Sequence, residues 1–413
     1  MSKPYIITAL DIGSGSVKVI SVLKKPKESN FEILGQGQQT SSGVKRGVII
    51  DVLKVSRVIS SLIGKIEEDS GKKIEDVYAT LGGGHISSMF SRGLISVSRA
   101  DQKISEEDIN RVIQEAQTLP LSDKNKEIIE TFPKEFIVDG EGGIKDPTDM
   151  QGGRLETDVL LLRGFSPYIK NSSNAILNSG LQINGLTPSP LASARAVLTA
   201  REKELGVCIL DIGAGTTGMS VFDDGSLIHT IIFPIGSGHI TNDIAVCLKT
   251  DIDTAEKIKL EFGTCKNFAS CGKSNKVEKK IEIQGEEPLV FSQKMLSQII
   301  EARVSEIFNL VNKELKKISK QSQLPCGIVL TGGGARIPGI KGLAKKELKL
   351  FCRIGAPMGI SSFEQDPSLS ALYGLILEGA DLGEDPLLTS YSSPNIIKKV
   401  WFLFKKMFKS FIP

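Results

Sequence analysis

The strongest constraint in this sequence is that it repeats itself. The segment ALDIGSGSVKVISVL (residues 9–23) has a counterpart in CILDIGAGTTGMSVF (residues 208–222). Each copy reads as an apolar strand ending in Asp-Ile-Gly, a turn short of side chains, and a second strand. Glycines and hydroxyls at such a turn let backbone N–H groups close on an anion as a phosphate cradle does. Asp11 or Asp211 at the strand end would repel a bare phosphate by roughly 4 kcal/mol at 4 Å and an effective dielectric near 20. A carboxylate there makes sense with a Mg²⁺ between the two groups. One copy alone reads equally well as an ordinary Gly-rich hairpin. Two copies imply a duplicated unit whose hairpins face one another across a nucleotide.

A chain of 413 residues, 40% hydrophobic and 24% charged, has room for several domains with proper cores and the balance of a soluble globular protein. The six cysteines form no Cys-x-x-Cys pair, and several fall in apolar segments, as expected of reduced thiols in a cytosolic protein. No signal peptide is expected, because Tyr5-Ile6-Ile7 runs straight into the first hairpin. Only His85, His229 and His239 are available, so a histidine metal cluster is not expected and all three read as structural. The net charge of +3 resides in the last nineteen residues, which carry five lysines and no acid; the remainder has 46 basic against 48 acidic residues. A nucleic-acid-binding body is therefore not indicated.

Strand patterns at 31–36 and 77–81 flank a helix capped by Asp51, with Val55, Val58, Ile59, Leu62, Ile63 and Ile66 inward. That order, β-β-β-α-β, is the first half of a ribonuclease-H-like layer. Residues 84–160 read as a small α+β insertion. It has a pair of short strands over 85–97, a helix opened by a Ser105–Asp108 capping box and ended by Pro120, a strand at 127–138 and a loop at 140–153. A strand at 159–163, a helix at 167–179, a strand at 181–186 and one helix running from Pro190 lead into the second hairpin. Helices at 241–250 and 254–262 follow; on the latter, Glu256 and Lys259 share a polar face suited to a ribose hydroxyl or simply to solvent. A polar stretch at 263–289 suggests a second small lobe. Ser292 then opens a long helix with Met295, Leu296, Ile300, Val304, Phe308 and Val311 inward. In GIVLTGGGARIPGI (327–340), Gly332, Gly333 and Gly334 would let backbone lie against a purine, and Pro338 suits a helix first turn.

Residues 380–394 shift to Gly, Asp, Ser and Pro, a linker. The terminal NIIKKVWFLFKKMFKSFIP puts Ile397, Val400, Trp401, Phe404, Phe408 and Phe411 on one helical face and Lys398, Lys399, Lys405 and Lys406 on the other. Lysines near the centre of a spanning helix cost roughly 2.5–3.5 kcal/mol each, whereas each gains about 1 kcal/mol at an anionic surface. Lying flat on a membrane is the expectation; docking on the protein's own core is the alternative.

These motifs, in this order, resemble the actin, chaperone and sugar-kinase superfamily and, more closely, the FtsA family of actin-like bacterial cell-division proteins. The resemblance spans essentially the whole chain. It implies an α/β actin-like fold of duplicated ribonuclease-H-like domains, with an inserted subdomain (1C) and a C-terminal amphipathic helix. Its parts would be 1–83 with 161–200 (1A), 84–160 (1C), 201–234 with 301–379 (2A), 235–300 (2B), the linker 380–394 and the helix 395–413. It implies ATP and Mg²⁺ as cofactors, with Asp11, Gly13, Ser14, Gly15, Lys18, Asp211, Gly213, Ala214, Gly215, Thr216 and Thr217 around the phosphates. Asp11 and Asp211 would hold the metal through water, Glu256 and Lys259 the ribose, and Gly332 to Arg336 the adenine. Implied partners are FtsZ on the small lobe, further copies of the chain, an anionic membrane surface at its cytoplasmic face, and other division proteins on the insertion. One position departs from hydrolytic relatives of the MreB kind: Ser189 stands before Pro190 where they carry a Glu, so slow or negligible hydrolysis is expected. The competing readings are a pilus-assembly ATPase of the PilM type, which lacks such a tail, and a sugar or acid kinase, which needs a carboxylate base.

Overall fold

The computed structural model describes residues 4–25, 30–98, 101–118, 125–265, 278–281, 289–320, 323–358 and 364–383. The terminal segment with Ile397, Lys398, Lys399, Val400, Trp401, Phe404, Lys405, Lys406, Phe408 and Phe411, most of the linker, Pro120 and most of 263–289 lie outside them.

The first half begins with β1 (Tyr5–Ile12), β2 (Ser16–Lys24) and β3 (Phe31–Thr40), a meander of antiparallel neighbours. A small hairpin, β4 (Val44–Lys45) and β5 (Val48–Ile49), precedes α1 (Val52–Ser70) and β6 (Asp76–Leu81), which pairs parallel to β1. Asp51 caps α1 by accepting from Lys54 N at 3.0 Å, and all six inward residues expected of this helix are buried.

The insertion comprises β7 (Ser87–Ser96), α2 (Glu106–Thr118), β8 (Lys126–Val138), β9 (Glu141–Ile144) and β10 (Arg154–Phe165). Where two short strands were expected over 85–97, β7 is continuous. Gly93 does not break it but lets α2 rest on it, since a Cβ there would fall 2.1 Å from Val112 O. The loop expected at 140–153 includes β9, which pairs with β8.

The chain then returns through α3 (Ser166–Leu177), β11 (Gln182–Pro188), α4 (Ser189–Val197) and α5 (Ala200–Leu205). The last two replace the single helix expected after Pro190. Thr199 stops the first and caps the second, its hydroxyl accepting from Glu202 N while Glu202 accepts from Thr199 N.

The second half repeats the first: β12 (Val207–Ile212), β13 (Thr217–Asp223) and β14 (Ser226–Phe233), then α6 (Ser237–Leu248) and α7 (Ile252–Phe262). A small hairpin, β15 (Glu278–Ile281) and β16 (Leu289–Ser292), leads to α8 (Gln293–Lys317). Ser292 occupies the cap position of α8 without a side-chain cap bond, and Met295 is 43% exposed, so the inward stripe begins at Leu296. After β17 (Ile328–Thr331) and a 3-10 turn at Gly333–Arg336 come α9 (Ile340–Leu348), β18 (Cys352–Ile354) and α10 (Ser370–Gly383). Pro338 precedes α9 rather than entering its first turn, because Gly339 takes the cap position.

Among the described residues the first sheet runs β11-β6-β1-β2-β3, and the second opens in the matching order β18-β17-β12-β13-β14. In both, the meander is antiparallel and the two outer strands parallel. The insertion extends the second sheet through one register pair, Ile231 with Ser87, and continues β7-β10-β8-β9.

Candidate functional site

The carboxyl ends of β1 and β12 bring their two turns together. In each turn the first glycine N–H bonds back across it, Gly13 N to Ser16 O at 3.0 Å and Gly213 N to Thr216 O at 2.8 Å. The turns touch. A Cβ on Gly15 would lie 2.9 Å from Ala214 Cβ, and one on Gly215 would lie 2.4 Å from Ser14 Oγ. The start of α6 holds the second turn from behind, Ser237 N and Gly238 N donating to Gly213 O and Ala214 O at 2.8 and 2.7 Å.

Around these turns opens a cleft of about 700 Å³ between the two halves. The residues expected at the nucleotide line it, except Thr217 and, within Gly332 to Arg336, the buried Ala335. Thr217 is fully buried, and its hydroxyl donates to Ile235 O at 2.8 Å. It begins β13 on the inward phase, where the first copy has the equally buried Val17, so the repeat itself carried the signal that this hydroxyl faces the core.

The carboxylates sit on the cleft floor and are held by hydroxyls absent from the expected set. Thr80, at the end of β6, donates to Asp11 Oδ1 at 2.8 Å and accepts from Ile12 N at 3.1 Å. Ser193, on α4, donates to Asp211 Oδ2 at 2.7 Å. Burial lifts the Asp211 carboxyl to about 6; Asp11 adds to the rise, while the Ser193 hydrogen bond and Lys18 oppose it. A threonine before a glycine run, as in ATLGGG and VLTGGG, was the available hint for Thr80. Ser193 had none.

Glu256 and Lys259 are not merely a solvated pair. Lys259 Nζ lies 2.6 Å from Glu256 Oε2 and 2.8 Å from Thr241 Oγ1, and the Thr241 hydroxyl donates to the same Glu256 oxygen at 2.5 Å. Lys18 Nζ donates to Ser368 O at 2.6 Å, and Arg336 is paired with Asp366. The three glycines after β17 divide their roles. Gly332, at φ +80°, passes so near Asp211 that a Cβ would fall 2.3 Å from Oδ1, and a Cβ on Gly334 would fall 2.4 Å from Ile212 Cγ2. Gly333 alone meets nothing nearer than 3.9 Å. Two of the three are thus required by packing on β12. Ser189, at the start of α4, also lines the cleft.

The histidines are engaged elsewhere. His85 Nδ1 accepts from Phe165 N at 3.1 Å, His229 meets Ser88 Oγ at 3.2 Å, and His239 Nδ1 accepts from Gly236 N at 3.1 Å. Burial lowers the pKa of both His85 and His229. Among the described residues no three His, Cys, Asp or Glu side chains gather as a metal cluster, and no helix is long and apolar enough to cross a membrane.

Two ribonuclease-H-like halves closing on a shared cleft define the actin-like class of proteins. A chain of the PilM-PilN type IV pilus biogenesis complex matches with a TM-score of 0.63 at 15% identity over 90% of this chain and 98% of its own. MreB 5 of Spiroplasma citri, solved bound to AMPPNP, matches with a TM-score of 0.55 at 14% identity over 93% and 98%.

In sequence, the family profile described as cell division protein FtsA matches residues 208–374, and that of the SHS2 domain inserted in FtsA matches residues 83–162. Cell division protein FtsA of Pseudomonas aeruginosa is 31% identical over 94% of this chain and 93% of its own length. The Borreliella burgdorferi protein is 35% identical over 90% of each, and that of Escherichia coli K12 is 31% identical over 91% and 90%. The chain belongs to the FtsA family of cell-division proteins.

Proposed function

We propose that the cleft binds Mg-ATP and that the loaded chain is a scaffold of cell division, assembling with its own copies on the cytoplasmic face of the membrane and holding FtsZ filaments there. The observation that carries this reading is the convergence of both Asp-Ile-Gly turns, Lys18, Glu256, Lys259 and Gly333 on one cleft. Two carboxylates facing that cleft, one lifted to about 6 by burial, suit a Mg²⁺ held through water beside phosphate oxygens. The ion would neutralise both. Asp11, Asp211, Ser14, Gly15, Gly215 and Thr216 are proposed to hold the metal–phosphate end, Glu256 and Lys259 the ribose, and Gly333 and Arg336 the base. MreB 5, of like fold, was solved with AMPPNP.

Within this reading the subdomains divide at 1–83 with 161–200, 84–160, 201–234 with 301–379, and 235–300. FtsZ binds the last of these, other division proteins bind 84–160, and residues 395–413 lie flat on anionic lipid. Ser189 supplies no carboxylate for activating water, so the nucleotide governs assembly and turns over slowly.

Two measurements test the proposal. Calorimetric titration with ATP should give tight binding in Mg²⁺ and markedly weaker binding in chelator; no binding in either condition would overturn it. Trp401 is the sole tryptophan. Its emission should shift to the blue on anionic vesicles and stay unchanged on neutral ones, and an unchanged spectrum on both would remove the membrane part.

A further inference from the structure

The β4–β5 hairpin lies against both turns of the cleft. Its tip is Arg46-Gly47, with φ of +49° and +76°, both central residues on the left-handed side as in a type I′ turn. Gly47 N donates to Ser14 Oγ on the first turn at 2.7 Å. A Cβ on Gly47 would fall 2.5 Å from Gly83 N and 3.0 Å from Thr216 Cγ2, and a Cβ on Gly215 would fall 3.2 Å from Arg46 Cα. The tip is therefore in van der Waals contact with the end of β6, the first turn and the second turn together, and Gly47 itself lines the cleft.

Such a fit fixes the backbone of Arg46 at the joint between the two turns while leaving its side chain exposed. The cations that line the cleft are committed to protein groups, Lys18 to Ser368 O, Lys259 to Glu256 and Arg336 to Asp366, whereas Arg46 stands at its edge beside the lining Gly47. Among the described residues no hydrogen bond or ion pair engages the Arg46 side chain. A guanidinium on a rigid tip is well matched to phosphate oxygens, because its planar fork donates two parallel hydrogen bonds and is always charged.

We propose that Arg46 is a binding residue for the terminal phosphate of a nucleoside triphosphate, and that through it the cleft tells triphosphate from diphosphate. This rests on the nucleotide reading of the cleft. The hairpin works as a finger supplied in cis: its backbone is held by Ser14, Gly83 and Thr216, and the Arg46 charge at its tip adds a contact that a diphosphate does not reach. Binding of the triphosphate then draws the hairpin, the first turn and the second turn onto one ligand, so the same contact favours closure of the two halves.

The test is a calorimetric comparison of Mg-ATP and Mg-ADP on the full chain. Arg46→Ala should weaken ATP by about 10- to 100-fold, the loss typical of a charge-assisted hydrogen bond, and leave ADP within about twofold. Arg46→Lys, which keeps the charge but not the fork, should recover part of the ATP affinity, and Lys45→Ala, one residue earlier, should change neither. The melting temperature of the nucleotide-free protein should be the same for all three, since the side chains are exposed. Equal losses for ATP and ADP, no loss, or the same loss from Lys45→Ala would overturn the assignment. Failure of the native chain to bind either nucleotide would instead remove the reading of the cleft itself.

Discussion

Asp11 stands opposite Lys18 across its hairpin, whereas Asp211 stands opposite Gly218. In the second copy Pro190 packs where a side chain would otherwise stand, a Cβ on Gly218 falling 2.9 Å from Pro190 Cβ. The hydroxyls differ as well. Thr80 serves Asp11, but its counterpart Thr331, in register with Asp211, is turned to Ser370 Oγ and Pro367 O, and Asp211 takes its hydrogen bond from Ser193 on α4. So the duplicated unit keeps both carboxylates and treats them unequally. One has a lysine on its own hairpin; the other is desolvated beneath α4 and lifted to about 6. Of the two, the buried second carboxylate is the one in greater need of an external cation.

Exchanging each carboxylate for an amide should break this comparison most visibly. The folded pKa of Asp211 lies above its ordinary 3.8, so the metal-free folded chain holds that proton more tightly than the unfolded chain does. Its contribution is fully present below pH 4 and falls as pH climbs through about 6, by about 3 kcal/mol at the plateau. Asp211→Asn should therefore raise the melting temperature of the metal-free protein at pH 8, flatten its pH dependence between 4 and 7, and reduce the Mg²⁺-dependent gain in ATP affinity by about 100-fold. Asp11→Asn should lower the Mg²⁺ dependence less and bring no gain in stability, because it weakens the charge-assisted hydrogen bond that Thr80 donates to Asp11 Oδ1. Melting curves in chelator across that pH range decide the matter. Equal stabilisation by both substitutions would mean the two carboxylates are alike after all.

The glycines of the two turns offer a sharper, smaller contrast. A Cβ at position 215 meets Ser14 Oγ at 2.4 Å and Ser14 Cβ at 2.7 Å, while one at position 15 meets Ala214 Cβ at 2.9 Å. Gly215→Ala should wedge the halves apart, costing about 1–3 kcal/mol of stability and about 10-fold in ATP affinity; Gly15→Ala should do less. Ser14→Gly added to Gly215→Ala should restore much of the affinity by removing the colliding atoms. A larger defect from Gly15→Ala, read by the same titration, would reverse the order of the two turns.

What was legible in the sequence is what is local. The repeated hairpins, the cap and inward face of α1, and the Ser105–Asp108 cap of α2 each lie within a few residues, where strand alternation and helical spacing speak directly. The Thr217 hydroxyl suits a phosphate cradle by type, but its phase in the strand, which Val17 marks, turns it to the core. Met295 is the opposite case, an apolar residue at the edge of an amphipathic stripe that stays exposed. The Arg46 hairpin could not be told from a loop: its strands are two residues each, and the left-handed turn uses an arginine where Gly or Asn would have signalled it. Thr80–Asp11 and Ser193–Asp211 join residues far apart in the chain, so beyond the threonine before a glycine run neither bond leaves a trace in local pattern.

Those two hydroxyls make the finest test of the unequal halves. Thr80 is a relay, accepting from Ile12 N and donating to Asp11, whereas Ser193 makes its single bond to Asp211. Thr80→Val leaves a buried backbone N–H and a carboxylate both short of a partner, so it should destabilise the metal-free chain by about 2–3 kcal/mol. Ser193→Ala removes one donor from a carboxylate that burial already drives toward its protonated form. Below pH 6 Asp211 can stay neutral and the loss should be close to zero; at pH 8, where it must ionise, the loss should grow to about 1–2 kcal/mol. The signature is thus a pH-dependent penalty for Ser193→Ala set against a penalty for Thr80→Val that is present at both pH values. Chemical denaturation at pH 5 and pH 8 reads both. If Ser193→Ala cost as much at pH 5 as at pH 8, the serine would be packing α4 rather than tending the carboxylate, and the asymmetry would rest on Lys18 alone.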